Sequence, residues 1–187
     1  MACGERLADC LLKRAARRLR EKFSNPILLK QALDDIEAYG YKSHMWQYVK
    51  RILAEEIVGC IVEHARECFN GCLDSIYYAD MTGGEHSYIQ GHGGKDQDIV
   101  IYAPCPDLPR EELEENIESN LEAAARIVIS EALGFDPVEK LGIPNVVEIH
   151  IVRDERDTPY YNLVHSRVSR LVRAWPARRV SGQVFPF

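Results

Sequence analysis

Apolar residues recur every three or four positions through the first third of the chain, which is the spacing of one face of an α-helix. The clearest stripe predicts a helix over 5–23. Its members are Leu7, Cys10, Leu11, Ala15 and Leu19. A capping asparagine followed by proline predicts a second helix from Pro26 to Gly40. A third helix is predicted over 44–70, because Ser43 can cap its start and Asn70-Gly71 can end it.

Beyond the third helix the pattern changes to alternating strand-like and helical segments. β-branched and aromatic residues predict strands over 73–79, 99–102 and 145–152. Glutamates in the opening turns and a closing glycine predict a helix over 109–133. A last helix is predicted over 159–174, followed by an extended tail.

This order of elements predicts a single α/β (α+β) domain with a small mixed sheet. We expect residues 1–72 to form an N-terminal helical region packed on the same domain, and residues 73–187 to form the α/β core with a C-terminal helix and tail. The length of 187 residues and the hydrophobic content of 46% suffice for one core. No apolar run reaches the roughly 20 residues of a membrane span, and the first residues lack a hydrophobic signal core. We therefore expect a cytoplasmic protein with no membrane partner.

Charge is distributed unevenly along the chain. The net charge of −6 divides into +4 over residues 1–22, +5 over 165–187 and −15 between them. Basic ends can bind a polyanion, or they can pack against the acidic middle. Arg167, Arg170 and Arg173 would form a stripe on the predicted last helix, either a solvated face or a contact for phosphate. The acidic excess over residues 109–122 of the predicted helix is expected to form a solvated face.

The six cysteines show neither paired C-x-x-C motifs nor the density of a secreted disulfide scaffold. We expect buried, reduced thiols, since intracellular disulfides are credible mainly in a hyperthermophile. Cys60, His64, Cys68 and Cys72 are spaced by four like a row of ligands. On one helix, however, Cys60 and Cys68 would be about 12 Å apart, which is too far to share one zinc ion.

The segment between residues 82 and 101 carries the most chemistry. A Gly83-Gly84 turn follows the first predicted strand, and Asp96-Gln97-Asp98 opens the second. Because side chains alternate along a strand, Asp96 and Asp98 point to one face. Glu148 lies in the middle of the strand 145–152, between apolar neighbours. Three carboxylates on adjacent strands would repel one another unless a cation neutralised them.

The glycine pair, the spacer, the Asp-x-Asp and the later hydrophobic-acid-hydrophobic strand resemble the signature of the DNA-polymerase-beta-type nucleotidyltransferases. This resemblance covers roughly residues 73–152 and implies a sheet of the nucleotidyltransferase type. It also implies transfer of a nucleoside monophosphate from a nucleoside triphosphate to a hydroxyl acceptor. RNA is one candidate acceptor among several, and a homo-oligomer is compatible with the sequence.

Carried over by position, the resemblance assigns roles to six residues. Gly83, Gly84 and Lys95 would bind the nucleotide, with the glycine turn against the triphosphate. Asp96, Asp98 and Glu148 would be the catalytic residues and would hold Mg²⁺ or Mn²⁺. The third carboxylate, Glu148, would also help to activate the acceptor hydroxyl.

Three alternatives stay open at this point. The segments 73–79, 86–90 and 97–103 could form an antiparallel meander joined by glycine turns, which would make Asp96 and Asp98 ordinary acids on a sheet face. The same fold could be a catalytically inactive binding or oligomeric module. Finally, His86, His92 and His150 fall within or beside the same region, and a mixture of His and Asp ligands would suit a metal-dependent hydrolase.

Overall fold

A computed structural model describes residues 1–80, 95–154 and 170–176. These residues form a mixed α/β fold, as the sequence predicts. The helices are α1 (Cys3–Phe23), α2 (Pro26–Tyr39), α3 (His44–Glu63), α4 (Ala65–Phe69), α5 (Arg110–Leu133) and α6 (Pro137–Leu141), with a 3-10 turn at Gly40–Lys42. The strands are β1 (Ser75–Asp80), β2 (Gln97–Tyr102), β3 (Val147–Val152) and β4 (Arg170–Trp175).

The predicted capping residues of the N-terminal helices are confirmed. The side chain of Asn25 accepts a hydrogen bond from the N–H of Ile27 at 2.9 Å, and that of Ser43 accepts one from the N–H of Trp46 at 3.0 Å. The predicted single helix over 44–70 is wrong in one respect. It breaks at His64, whose backbone leaves helical geometry (φ −105°, ψ 17°), and α4 follows as a separate short helix.

The sheet has the strand order β3-β2-β1-β4. β1 is antiparallel to both β2 and β4, whereas β2 and β3 are parallel and are connected through α5 and α6. Because β1 and β2 pair directly, the alternative meander with residues 86–90 as the strand between them is wrong. Among the described strands, β3 lies at one edge of the sheet.

The core lies on one face of the sheet, under the long helices α1, α3 and α5. The side chains of Ile99 and Ile149 reach into it from β2 and β3. α1 and α5 pack closely where Gly4 meets α5: a Cβ on Gly4 would lie only 2.2 Å from the backbone oxygen of Asn116. The opposite face of the sheet carries a smaller apolar cluster and, as described below, the acidic residues. The small cluster contains Tyr77, Val100, Tyr102 and Val152.

The basic N-terminal segment packs against acidic residues of α3, which is one of the two outcomes that the charge distribution allows. Arg14 Nε donates to Glu56 Oε2 at 2.7 Å, and Arg18 Nη1 donates to Glu55 Oε2 at 2.6 Å. Glu56 also accepts from Arg18 and is largely buried, so the two arginines fasten α1 to α3.

All six cysteines form disulfides, so the prediction of reduced thiols is wrong. The pairs are Cys3–Cys68, Cys10–Cys60 and Cys72–Cys105. The first two join α1 to α3 and α4, and the third joins the segments that flank β1 and β2. Spacing along the sequence could not reveal these pairs, because each partner comes from a distant element.

The C-terminal prediction is also corrected. Residues 170–175 form strand β4 beside β1, not the end of a helix, and residues 155–169 lie outside the described part of the chain. Val172 and Trp175 are residue types that favour strands, and β1 offers them an edge to pair with. In the parts of the chain that the structure describes, no helix has both the length and the apolar character to cross a membrane.

Candidate metal centre

Two parallel strands bring the acidic residues together. The register of β2 and β3 places Asp98 opposite Glu148 and Val100 opposite His150. Since alternate residues of a strand share a face, Asp98, Glu148 and His150 lie on the face away from the helical core. The residues between them, such as Ile99 and Ile149, are buried under the helices.

Asp98, Glu148 and His150 form a compact group of potential metal ligands. His150 Nε2 lies 3.9 Å from Asp98 Oδ1 and 3.6 Å from Glu148 Oε1. One ligand atom from each of the three residues lies within 4.8 Å of the others. The side chains of Asp98 and His150 are only 10% and 16% exposed, whereas that of Glu148 is 38% exposed. The cluster is therefore largely buried and opens to solvent on the Glu148 side.

Asp96 lies beside this cluster at the start of β2, and its backbone is anchored by α3. Lys50 Nζ donates to the carbonyl of Asp96 at 2.9 Å, and Trp46 Nε1 donates to that of Lys95 at 2.8 Å. Both α3 side chains are almost fully buried. Helix α3 therefore fixes the chain where the Asp-x-Asp segment enters the sheet.

The electrostatics of the cluster are those of acids crowded together away from water. Burial and the charge of Asp98 raise the pKa of Glu148 to about 7. Burial and Asp98 also raise the pKa of Asp96, although Lys50 and a side-chain hydrogen bond with Glu148 act against that rise. Without a cation, these crowded acids hold protons more tightly than isolated carboxyl groups do.

The same surroundings also shift the pKa of His150, which unlike the carboxyl groups is positively charged when protonated. Burial by itself lowers the pKa of His150, but the nearby carboxylates of Asp98 and Glu148 outweigh it, so the net shift is upward. A protonated imidazole partly neutralises the acids. A divalent cation would do so more completely and would displace the bound protons.

Of the six residues that the sequence selects, Asp98 and Glu148 lie in one cluster with His150, and Asp96 lies beside it. Gly83 and Gly84 lie outside the described residues. The ammonium of Lys95 lies 5.5 Å from the ring centroid of Tyr41, so it makes a cation–π contact there.

Other residues belong to the site beyond those six. His150 enters the site from the predicted strand 145–152, and its shared face with Glu148 was the only sequence feature that pointed to it. His86 and His92 lie outside the described residues. Trp46 and Lys50 were missed. A lysine among the apolar residues of α3 was their sole signal, and their contact with residues 95 and 96 depends on the tertiary fold.

The donor set fits a divalent cation. Two carboxylates and an imidazole converge, with a third carboxylate beside them. Mg²⁺ prefers oxygen ligands, whereas an imidazole nitrogen suits Mn²⁺, Fe²⁺ or Zn²⁺. The residues present therefore match a transition-metal ion at least as well as Mg²⁺.

Comparison of the chain with protein-family models, with curated proteins and with solved structures finds no match.

Proposed function

We propose that the protein is a divalent-metal-dependent nucleotidyltransferase, which moves a nucleoside monophosphate from a nucleoside triphosphate to a hydroxyl acceptor. The observation that carries the proposal is the register of β2 and β3, which sets Asp98 directly opposite Glu148 on the face of the sheet away from the helical core. Together with Asp96, these are the three carboxylates that the family resemblance requires, in the predicted order along the chain.

Each residue has a role in this proposal that follows from its position. Asp98, Glu148 and His150 would hold a Mg²⁺ or Mn²⁺ ion, with Asp96 beside them. When bound, the ion would neutralise the carboxylates and attract the phosphate oxygens of the substrate. Glu148 is the most exposed of the three, so its carboxylate is the one placed to meet an acceptor hydroxyl.

In the reaction, the acceptor oxygen would form a bond to the α-phosphorus while the bond from that phosphorus to the bridging oxygen breaks, and pyrophosphate would leave. Gly83, Gly84 and Lys95 remain the proposed nucleotide-binding residues. The acceptor is a hydroxyl compound, with RNA among the candidates, and a homo-oligomer remains compatible with the proposal.

The proposed location is the cytoplasm. Three disulfides are unusual there except in hyperthermophiles, whose intracellular proteins are often rich in them. The disulfides and a cytoplasmic location together would therefore favour a hyperthermophilic source.

The direct test is transfer of label from α-labelled nucleoside triphosphates to a panel of RNA, protein and small-molecule acceptors, with Mg²⁺ or Mn²⁺. Asp98→Asn removes one ligand charge with little change in size and should abolish transfer. Asp107→Asn, at an exposed position outside the cluster, is the matched control and should transfer at the wild-type rate. No transfer by the wild type to any acceptor, or equal transfer by both variants, would refute the proposal.

A second candidate function is a metal-dependent hydrolase, which His150 specifically favours. An imidazole beside two carboxylates suits Mn²⁺ or Zn²⁺ and the activation of water. The test is cleavage of a simple phosphodiester with either ion. Cleavage that Asp98→Asn abolishes, without nucleotidyl transfer, would select the hydrolase. Metal binding without either activity would instead indicate an inactive binding module.

A further inference from the structure

Three glutamates of α5 make hydrogen bonds to the outer edge of β3. Glu114 accepts from the N–H of Ile151 at 2.6 Å, and Glu118 accepts from that of Ile149 at 2.8 Å. Glu122 accepts from the N–H groups of Val147 and Val146, at 2.9 and 2.8 Å. The expectation that these glutamates form a solvated face is therefore wrong for one side of α5.

The regularity of these contacts follows from the dimensions of helices and strands. Four residues of a helix rise about 6.0 Å, and two residues of a strand rise about 6.6 Å. Glutamates four positions apart on α5 can therefore meet every second N–H of β3, with the helix running opposite to the strand. Glu114, Glu118 and Glu122, which we call the glutamate ladder, have this spacing.

The ladder meets the part of β3 that carries the proposed ligands. Its partners at 147, 149 and 151 alternate along the strand with Glu148 and His150. The ladder residues hold the backbone on both sides of each ligand, whereas the ligand side chains point to the face away from the helical core. Any sideways or lengthwise shift of β3 would thus change the distance of Glu148 and His150 from Asp98.

The helix that carries the ladder is itself firmly placed. α1 packs against α5 at Gly4, whose N–H donates to Asn116 Oδ1 at 2.8 Å. Two disulfides tie α1 in turn to α3 and α4. Hydrogen bonds from N–H groups to carboxylates are stronger than neutral ones, and an edge N–H left unpaired and buried is costly.

We infer that the glutamate ladder is a positioning device: Glu114, Glu118 and Glu122 pair the free edge of β3 and so hold Glu148 and His150 at the distance from Asp98 that a cation requires. The functional part of this inference rests on the proposed metal centre. The ladder itself rests on the hydrogen bonds alone.

The test uses two substitutions at Glu118 and one control. Glu118→Gln keeps an acceptor for the N–H of Ile149, whereas Glu118→Met has similar length and helix propensity but lacks such an acceptor. Glu115→Met makes the same chemical change at an exposed position of the same helix. The measurements are amide hydrogen exchange of residues 147, 149 and 151 by NMR and titration with Mn²⁺ alone.

Glu118→Met should speed exchange of the Ile149 amide by about tenfold or more, because a charge-assisted hydrogen bond is lost. It should also weaken Mn²⁺ binding by about tenfold, the lower end of the effect of residues that orient metal ligands. Glu118→Gln should keep the exchange rate of the Ile149 amide and the Mn²⁺ affinity close to those of the wild type. Glu115→Met should alter neither quantity.

Unchanged exchange at Ile149 in Glu118→Met would overturn the ladder, whatever the metal does. Faster exchange with unchanged Mn²⁺ affinity would overturn its positioning role. Absence of Mn²⁺ binding by the wild type, with the expected exchange pattern, would refute the metal centre while leaving the ladder intact. If Glu118→Met does not fold, Glu114→Gln and Glu114→Met test the same contact at Ile151.

Discussion

Asp98 of β2 and Glu148 of β3 occupy opposed positions of a parallel strand pair, so their carboxylates share one face of the sheet. Like charges placed side by side and largely out of water oppose folding unless protons or a cation neutralise them. The raised pKa of Glu148, at about 7, is the direct consequence. This pair of residues therefore links the fold to the proposed chemistry.

The first prediction concerns how stability depends on pH without metal. Glu148, Asp96 and His150 all have pKa values above those of the unfolded chain, so the folded protein binds more protons than the unfolded one. The stabilisation that these three groups add to the free energy of unfolding is present at low pH and is lost as the pH rises. The free energy of unfolding should fall by about 1–2 kcal/mol between pH 5 and pH 7.5, after allowance for solvent screening at Glu148.

Urea denaturation of the oxidised protein at the two pH values measures this fall. Glu148→Gln should make the fall smaller, because it removes one of the titrating groups. Excess Mn²⁺ should offset the fall in the wild type, since the ion replaces the bound protons. A wild-type stability that is constant or increases over this range would contradict the prediction.

A second prediction concerns the choice of metal. His150→Asn replaces the nitrogen donor by an amide oxygen, which lowers preference for ions that favour imidazole. The affinity for Mn²⁺ should fall by about tenfold relative to that for Mg²⁺. Competition titrations of the wild type and the variant with both ions give this ratio. An unchanged ratio would mean that His150 does not bind the ion.

The third prediction concerns the disulfides. The Cys10–Cys60 bond closes a long segment between α1 and α3 and restricts the unfolded chain. The double substitution Cys10→Ala and Cys60→Ala should lower the free energy of unfolding by about 2–4 kcal/mol. Denaturation with and without the bond measures the difference. The unmodified protein should also show no titratable thiol under denaturing, non-reducing conditions, and detection of free thiols there would refute the pairing.

A fourth prediction concerns the close packing of α1 against α5. A Cβ at Gly4 would collide with the backbone oxygen of Asn116, which cannot move without distorting α5. Gly4→Ala should therefore destabilise the protein by about 1–3 kcal/mol, although alanine is the better helix former. Thermal denaturation provides the measurement. A variant as stable as the wild type would show that the two helices do not approach this closely.

The sequence predicts much of the helical layer and the strands β1 to β3, because hydrophobic spacing and capping residues such as Asn25 and Ser43 act locally. Strand alternation also places Asp96 and Asp98 on one face, and the family resemblance adds Glu148 as the third acid. That Asp98 lies opposite Glu148 could not be predicted, because the register depends on how α5 returns the chain to the sheet.

The remaining features depend on distant parts of the chain. β4 forms because β1 offers an edge, and that edge exists only in the folded protein, so a local pattern could not reveal it. The glutamate ladder joins a helix to a strand, for example through the hydrogen bond from the N–H of Ile149 to Glu118. In the sequence alone, the same glutamates predict only a solvated face. The disulfides likewise join residues whose proximity exists only after α1 has packed on α3.

The measurement that tests the central claim most directly is calorimetric titration of the metal-free protein with Mn²⁺ at pH 7.5, for the wild type, Asp98→Asn and the exposed control Asp107→Asn. A metal centre at Asp98, Glu148 and His150 predicts saturable binding by the wild type and the control. It also predicts binding at least about tenfold weaker in Asp98→Asn, which loses a direct ligand. No saturable binding by the wild type, or equal affinity in all three proteins, would contradict the assignment.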